Sequence, residues 1–171
     1  MSMIIAELER LYDAHAQALF AFVLNLTRSE CDTRDVLQEL FVRLARNPDS
    51  LRNMRKPREF LLRAAHNIAV DLVRRRAASD RTTDRLKDQA EGLFAPIADP
   101  DVVEIRNLTE KALAQLPPEQ RSVVHLKLWE GMTFDEIART LDIPQNTAAS
   151  RYRYGLDKLR DLLRPIYEEM L

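Results

Sequence analysis

Apolar residues recur along this chain at the three-and-four spacing of a helix face, and nowhere do they alternate with the period of two that a half-buried strand requires. From Ile4 to about Thr27 the apolar positions are Ile4, Leu8, Leu11, Tyr12, Leu19, Phe22, Val23 and Leu26, one broad stripe on one helix. A second helix is expected with Asp32 as its N-cap and with Val36, Leu37, Leu40, Phe41 and Leu44 on its buried face. Asn47-Pro48-Asp49-Ser50 stops it. After a basic loop through Lys56-Pro57, a third helix is predicted from about Arg58 to Ala78, burying Phe60, Leu61, Ala64, Ile68 and Leu72. Residues 1–78 therefore read as one three-helix domain.

Between Ser79 and Asp101 the periodicity fades, polarity rises and two Pro-containing breaks appear, Ala95-Pro96 and Asp99-Pro100. Residues 79–101 read as a flexible acidic linker with a transient helix near Arg85 to Leu93. A second domain, residues 102–171, opens with a helix to about Gln115 that stops before Pro117-Pro118. Another helix spans Glu119 to Glu130 and ends at Gly131, suited to a left-handed cap. Thr133-Phe-Asp-Glu136 has the form of a capping box and opens a short helix to Leu141. A last helix runs from about Gln145 to Leu163. The expected fold is all-α: two small helical domains, three helices then four, joined by a linker.

A net charge of −1 hides an asymmetry. From Leu51 to Arg76 eight basic residues stand against two acidic ones, whereas from Ser79 to Glu110 four basic stand against eight acidic. Separated blocks of opposite sign suit one segment to an anionic partner and another to avoiding or mimicking it. The single Cys31 excludes an intramolecular disulfide and a cysteine metal cluster, and reads as a small apolar residue near a helix start. The N-terminus has no signal-peptide shape, and no apolar run approaches the roughly 20 residues of a membrane span. A soluble, cytoplasmic protein without membrane insertion is expected. His15, His66 and His125 fall on three different predicted helices, and no His-Glu-x-x-His, glycine-rich phosphate loop or cysteine ligand set is present. No catalytic residue, metal or cofactor is expected.

Phe134, Ile137, Ala138, Leu141, Ile143, Ala148 and Tyr152 have the spacing of a helix-turn-helix. Two short helices crossing steeply need a small residue where their backbones approach, here Ala138, and an apolar anchor in the turn, here Ile143. The start of the second helix would then project into a DNA major groove, offering Gln145, Asn146, Thr147, Ser150, Arg151 and Arg153 to phosphates or base edges. The same pattern also fits a helical hairpin in a bundle whose charges are merely solvated.

Longer stretches carry a resemblance. Ala112-Leu-Ala-Gln-Leu-Pro-Pro-Glu-Gln-Arg-Ser-Val-Val, then Leu128-Trp-Glu-Gly-Met-Thr-Phe-Asp-Glu-Ile-Ala-Arg-Thr-Leu, then Thr147-Ala-Ala-Ser-Arg resemble the −35-reading domain of extracytoplasmic-function (ECF) sigma factors. Asp32-Thr-Arg-Asp-Val-Leu-Gln-Glu-Leu-Phe and Phe60-Leu-Leu-Arg-Ala-Ala-His-Asn-Ile-Ala-Val-Asp-Leu-Val-Arg-Arg-Arg resemble that family's N-terminal domain, which binds polymerase and opens the −10 element. The resemblance implies a factor that recruits core RNA polymerase, through the β′ coiled coil and the β flap, to promoter DNA and that is held in check by an anti-sigma factor. It implies that Asp32, Asp35, Gln38 and Glu39 form the polar face of the second helix that meets the β′ coiled coil, where carboxylates suit arginines. It implies that Arg52, Arg55, Lys56, Arg63, Asn67, Asp71, Arg74 and Arg75 capture and grip the −10 strand, with Arg76 beside them on phosphates. Asn67 and Asp71 share a helix face, so a mutual structural hydrogen bond is an equal alternative. The linker is implied to thread the polymerase's RNA path as a transcript mimic, which is compatible with a plain tether. A stand-alone helix-turn-helix regulator with a sensing or dimerising N-terminal domain is the competing reading.

The chain departs from the family at several positions. Arg34 stands where a second acidic residue is usual, and Thr33, where Ala is common, offers a hydroxyl that a phosphate could modify to restore the charge. Phe60 replaces Trp with its core role kept, Ala149 replaces a lysine and so lowers the expected salt dependence, and Gly155 replaces Ala and is expected to mark a bend. His66 is expected to face solvent.

Overall fold

A computed structural model of the chain describes residues 1–79 and 99–170. The chain divides into two compact units, Met1–Ala90 and Glu91–Leu171. The helix expected near Arg85 to Leu93 lies outside the described residues. Both ends of the expected linker are helical instead: Ser79 closes one helix, and Pro100 opens the next behind Asp99, whose carboxylate accepts from the Asp101 amide. Proline is at home there, because a first-turn amide has no helical acceptor to lose.

The first unit is built from α1 (Ser2–Thr27), α2 (Glu30–Arg46), α3 (Pro48–Arg52) and α4 (Pro57–Ser79). Its core gathers Leu11, Leu19, Phe22, Val23 and Leu24 of α1, Val36, Leu40 and Leu44 of α2, and Leu61, Leu62, Ala65, Ile68 and Ala69 of α4. Three readings of the sequence are corrected here. The N-cap of α2 is Ser29, whose hydroxyl accepts from the Asp32 amide, so Asp32 sits inside the first turn. Asn47-Pro48 does stop α2, but Pro48 at once starts α3, giving this unit four helices among the described residues. Phe60 is 39% exposed, since the packed face of α4 runs through Leu61, Leu62, Ala65, Ile68 and Ala69, with Ala64 and Leu72 half-buried at its flank.

The second unit holds α5 (Pro100–Ala114), α6 (Pro118–Leu128), α7 (Phe134–Leu141) and α8 (Gln145–Met170). Leu113, Leu116, Val123, Val124, Leu126, Met132, Ile137 and Ala148 form its core. Arg121 is buried, and its guanidinium donates to the carbonyls of Ala114 and Leu116, satisfying acceptors that the end of α5 leaves open above Pro117-Pro118. Gly131 adopts φ 62° after α6, the left-handed conformation expected of it. The last helix runs to Met170, past the expected stop at Leu163, and carries Pro165 inside it. The helix continues through Gly155, where a bend is expected from the sequence. Gly155 marks a close approach, for a Cβ there would lie 2.7 Å from Val124 Cγ2 of α6.

Candidate functional site

In the second unit, α7 and α8 are set by bonds local to their ends. Thr133 caps α7 by accepting from the Glu136 amide at 3.2 Å, and the Glu136 carboxylate accepts from the Thr133 amide at 2.8 Å. The turn reverses through Asp142 at φ 55°, with the Ile143 amide on the Ala138 carbonyl at 3.0 Å. Ile137, Ala138 and Ala148 are buried where the two helices meet, and Phe134 packs edge-on to Tyr152 with Lys127 Nζ over its ring. The pair is therefore a helix-turn-helix anchored from below.

Because Ala148, Gly155 and Leu159 face the core, the opposite side of α8 is left to solvent. Gln145, Asn146 and Arg153 are exposed, and Thr147, Ser150 and Arg151 are half-buried. The Ser150 hydroxyl donates to the Asn146 carbonyl, which leaves its lone pairs free to accept. The Arg153 guanidinium lies 5.1 Å above the ring of Tyr154, a half-exposed aromatic that the polar motif does not single out. Farther along, Asp157 pairs with Arg160 and Asp161 with Arg164, and with Lys158 set against Glu168 and Glu169 the later turns carry no net positive charge.

In the first unit, Asp35, Gln38 and Glu39 are exposed on α2, Glu39 bridging Arg43 at 2.7 Å. Asp32 is not with them. It is 6% exposed and its carboxylate lies 2.6 Å from the Arg76 guanidinium at the end of α4. That contact also takes Arg76 from the basic cluster, leaving Arg74 and Arg75 exposed. Thr33 is fully buried, its hydroxyl donating to the Ser29 carbonyl and lying 2.9 Å from the Thr27 hydroxyl, so it is not presented at the surface as a phosphate acceptor would be. Arg34 is exposed and pairs with Glu30.

Arg52, Arg55 and Lys56 are exposed around α3 and the turn after it, Lys56 lying 3.6 Å from Glu59 and Arg52 4.0 Å from Asp49. Arg63, Asn67 and Asp71 are exposed on α4, and Arg75 Nε donates to the Asp71 carbonyl. His66 is half-buried and stacks on Phe22 with centroids 6.1 Å apart, rather than facing solvent. In the second unit His125 is buried against Trp129, and burial pushes its imidazole down to about 4. Among the described residues no cluster of His, Cys, Asp and Glu is arranged for a metal ion, and no helix is long and apolar enough to cross a membrane.

A four-helix unit with a basic flank, followed by a helix-turn-helix unit, defines a two-unit all-helical chain of the kind that reads DNA. Residues 11–79 match Sigma-70 region 2, and residues 112–161 match Sigma-70, region 4. The chain is 32% identical over 165 residues to the ECF RNA polymerase sigma factor SigL of Mycobacterium tuberculosis, covering 94% of this chain and 91% of that protein. It is 31% identical over 155 residues to the RNA polymerase sigma factor CarQ of Myxococcus xanthus, covering 91% of this chain and 88% of that one. The sigma factor RpoE of Bartonella quintana, solved in complex with the anti-sigma factor NepR, shares the fold at TM-score 0.76 and 19% identity, over 91% of this chain and 96% of that one. The chain belongs to the ECF RNA polymerase sigma factors. It is a sigma factor that directs transcription initiation, and the stand-alone regulator is not favoured.

Proposed function

We propose that this sigma factor divides its work by residue between its two units and acts by binding alone, in the cytoplasm. Residues 1–78 associate with core RNA polymerase through Asp35, Gln38 and Glu39 of α2, which meet the β′ coiled coil. They engage the −10 strand through Arg52, Arg55, Lys56, Arg63, Asn67, Asp71, Arg74 and Arg75. Residues 79–101 tether the two units, and residues 102–171 read the −35 duplex through Gln145, Asn146, Thr147, Ser150, Arg151 and Arg153 while docking on the β flap. An anti-sigma partner, of the kind seen with the Bartonella protein, would compete for these surfaces.

The observation that carries this reading is the charge layout of α8. Its first turns, 145–156, carry amides and the cations Arg151 and Arg153 with no acidic residue among them, while its later turns hold two Asp–Arg pairs and no net positive charge. A merely solvated bundle helix has no reason to confine its positive excess to the end beside a capped turn.

Purified chain added to core polymerase tests it by co-purification and run-off transcription. Asp35→Ala should weaken polymerase association by about fivefold, the upper range for an exposed charge, and leave duplex contacts intact. Arg153→Ala should leave association unchanged and lower the salt dependence of −35 binding by about one phosphate contact. Equal loss of both activities in both variants would overturn the division.

A further inference from the structure

The ion pair between Asp32 and Arg76 ties the two surfaces of the first unit together. Asp32 stands in the first turn of α2, just before the exposed Asp35, Gln38 and Glu39. Arg76 stands in the last turn of α4, directly after Arg74 and Arg75. Their charged atoms meet at 2.6 Å, with the Asp32 side chain 9% exposed and that of Arg76 35% exposed. The pair spans two helices, whereas pairs such as Arg10–Glu7, Arg34–Glu30 and Arg43–Glu39 join residues three or four apart on one helix.

We infer that Asp32 and Arg76 are positioning residues: the pair pins the end of α4 to the start of α2, so that Arg74 and Arg75 are presented to the promoter strand in a fixed relation to the polymerase-facing side of α2. The acid occupies a helix N-terminus and the base a helix C-terminus, where each complements the local dipole. The site is screened from water on the acid's side, so the attraction is stronger than between exposed ions, and removing one partner strands the other. Finally, the end of a helix frays unless something holds it, and α4 carries its two outward arginines within that last stretch. The Asp32 carboxylate is buried against an arginine of the same unit, and the contact draws the half-buried Arg76 guanidinium toward the start of α2.

The inference rests on the division of labour proposed above, and the test separates the two. Full-length Asp32→Asn, Arg76→Ala and the double variant are compared in holoenzyme, reading polymerase affinity and the rate of promoter opening by permanganate reactivity of the −10 strand. Arg74→Ala and Asp35→Ala run beside them, and circular dichroism melts confirm that each chain is folded. Each single variant should slow opening by about fivefold, and the double variant by no more than either, the mark of one shared interaction. Polymerase affinity should stay within about twofold in all three, and Arg76→Lys, which keeps the charge, should recover part of the rate. Multiplicative losses in the double variant would overturn the inference, as would a drop in polymerase affinity with Asp32→Asn that Arg76→Ala does not share. If instead Arg74→Ala leaves opening unchanged, or Asp35→Ala leaves polymerase binding unchanged, the division of labour itself fails. Should Asp32→Asn or Arg76→Ala unfold the unit, Asp32→Glu, which moves the carboxylate without removing it, must show the same slowed opening at full polymerase affinity, and normal opening would overturn the pinning role.

Discussion

The two units are both all-helical, yet they are specified in different ways. In the C-terminal unit the helix ends are written within a few residues of themselves: Asp99 on the Asp101 amide, the reciprocal pair of Thr133 and Glu136, Gly131 and Asp142 in left-handed turns. In the N-terminal unit Ser29 caps α2 through its side chain and α1 ends on Arg28 in a left-handed turn, but α1 and α3 begin without a side-chain cap, as α6 alone does among α5, α6 and α7 of the C-terminal unit. Long helices there are held by packing from afar. A domain that must present a turn in a defined geometry fixes it locally, whereas one that presents the flanks of long helices can leave the placement to its core.

That contrast makes Phe22→Ala the most costly single change in the N-terminal unit. Phe22 is fully buried and supports His66 by stacking, so truncation should lose about 4 kcal/mol, a cavity cost for a buried aromatic. Urea unfolding by circular dichroism reads the loss, with the single Trp129 reporting on the other unit. A cost below about 1 kcal/mol would show that local signals suffice in both units.

A pH-dependent weakness is expected in the C-terminal unit. The imidazole of His125 is lowered by burial to about 4, against roughly 6.5 when unfolded. The folded chain thus binds fewer protons there, so no penalty exists above about pH 6.5, and stability falls as pH drops towards 4 by about 3 kcal/mol in total. His125→Phe should remove that slope, measured by Trp129 fluorescence in urea at pH 7 and pH 4.5. An unchanged slope would place the acid sensitivity elsewhere.

The same contrast explains what the sequence disclosed. Periodicity announced the helices, and the box at Thr133 and the glycine at 131 announced two of their ends, because each signal lies beside the structure it sets. Pairing between distant residues has no local sign. Asp32 looked like an N-cap and an outward carboxylate because nothing near it points to Arg76, and Gly155 looked like a bend because Val124 lies on another helix. His66 and Phe60 exchanged their expected surroundings for the same reason: which stripe of α4 packs is decided by α1 and α2. Asp35, Gln38 and Glu39 were readable as an outward polar face and are exposed, as charged and amide side chains ordinarily are.

Removing one cap from each unit sharpens the comparison at lower amplitude. Thr133→Ala removes the hydroxyl that accepts from the Glu136 amide, opening one side of the capping box on the eight-residue α7 while the Thr133 amide keeps its bond to the Glu136 carboxylate, and should cost about 1 kcal/mol while loosening −35 binding. Ser29→Ala loses only the bond to the Asp32 amide, because the Ser29 carbonyl still accepts from Thr33, and about 0.5 kcal/mol is expected. Thermal melts compare them directly, and a reversed order would mean that α2 depends on its cap more than α7 does.

The smallest effect is reserved for the turn between α7 and α8. Asp142 sits at φ 55°, where a side chain is normally strained but where Asp is better tolerated than most residues. Asp142→Gly removes that strain and adds freedom to the unfolded chain, so the two nearly cancel and melting should shift by no more than about 0.5 kcal/mol. Asp142→Val keeps the strain and adds a branched Cβ, and should cost about 1–2 kcal/mol with a parallel loss of −35 binding, since α8 leaves the turn from this residue. If valine is as well accepted as glycine, the turn is being held by the packing of Ala138 and Ala148 and not by its own backbone, and the C-terminal unit would then be organised like its N-terminal neighbour.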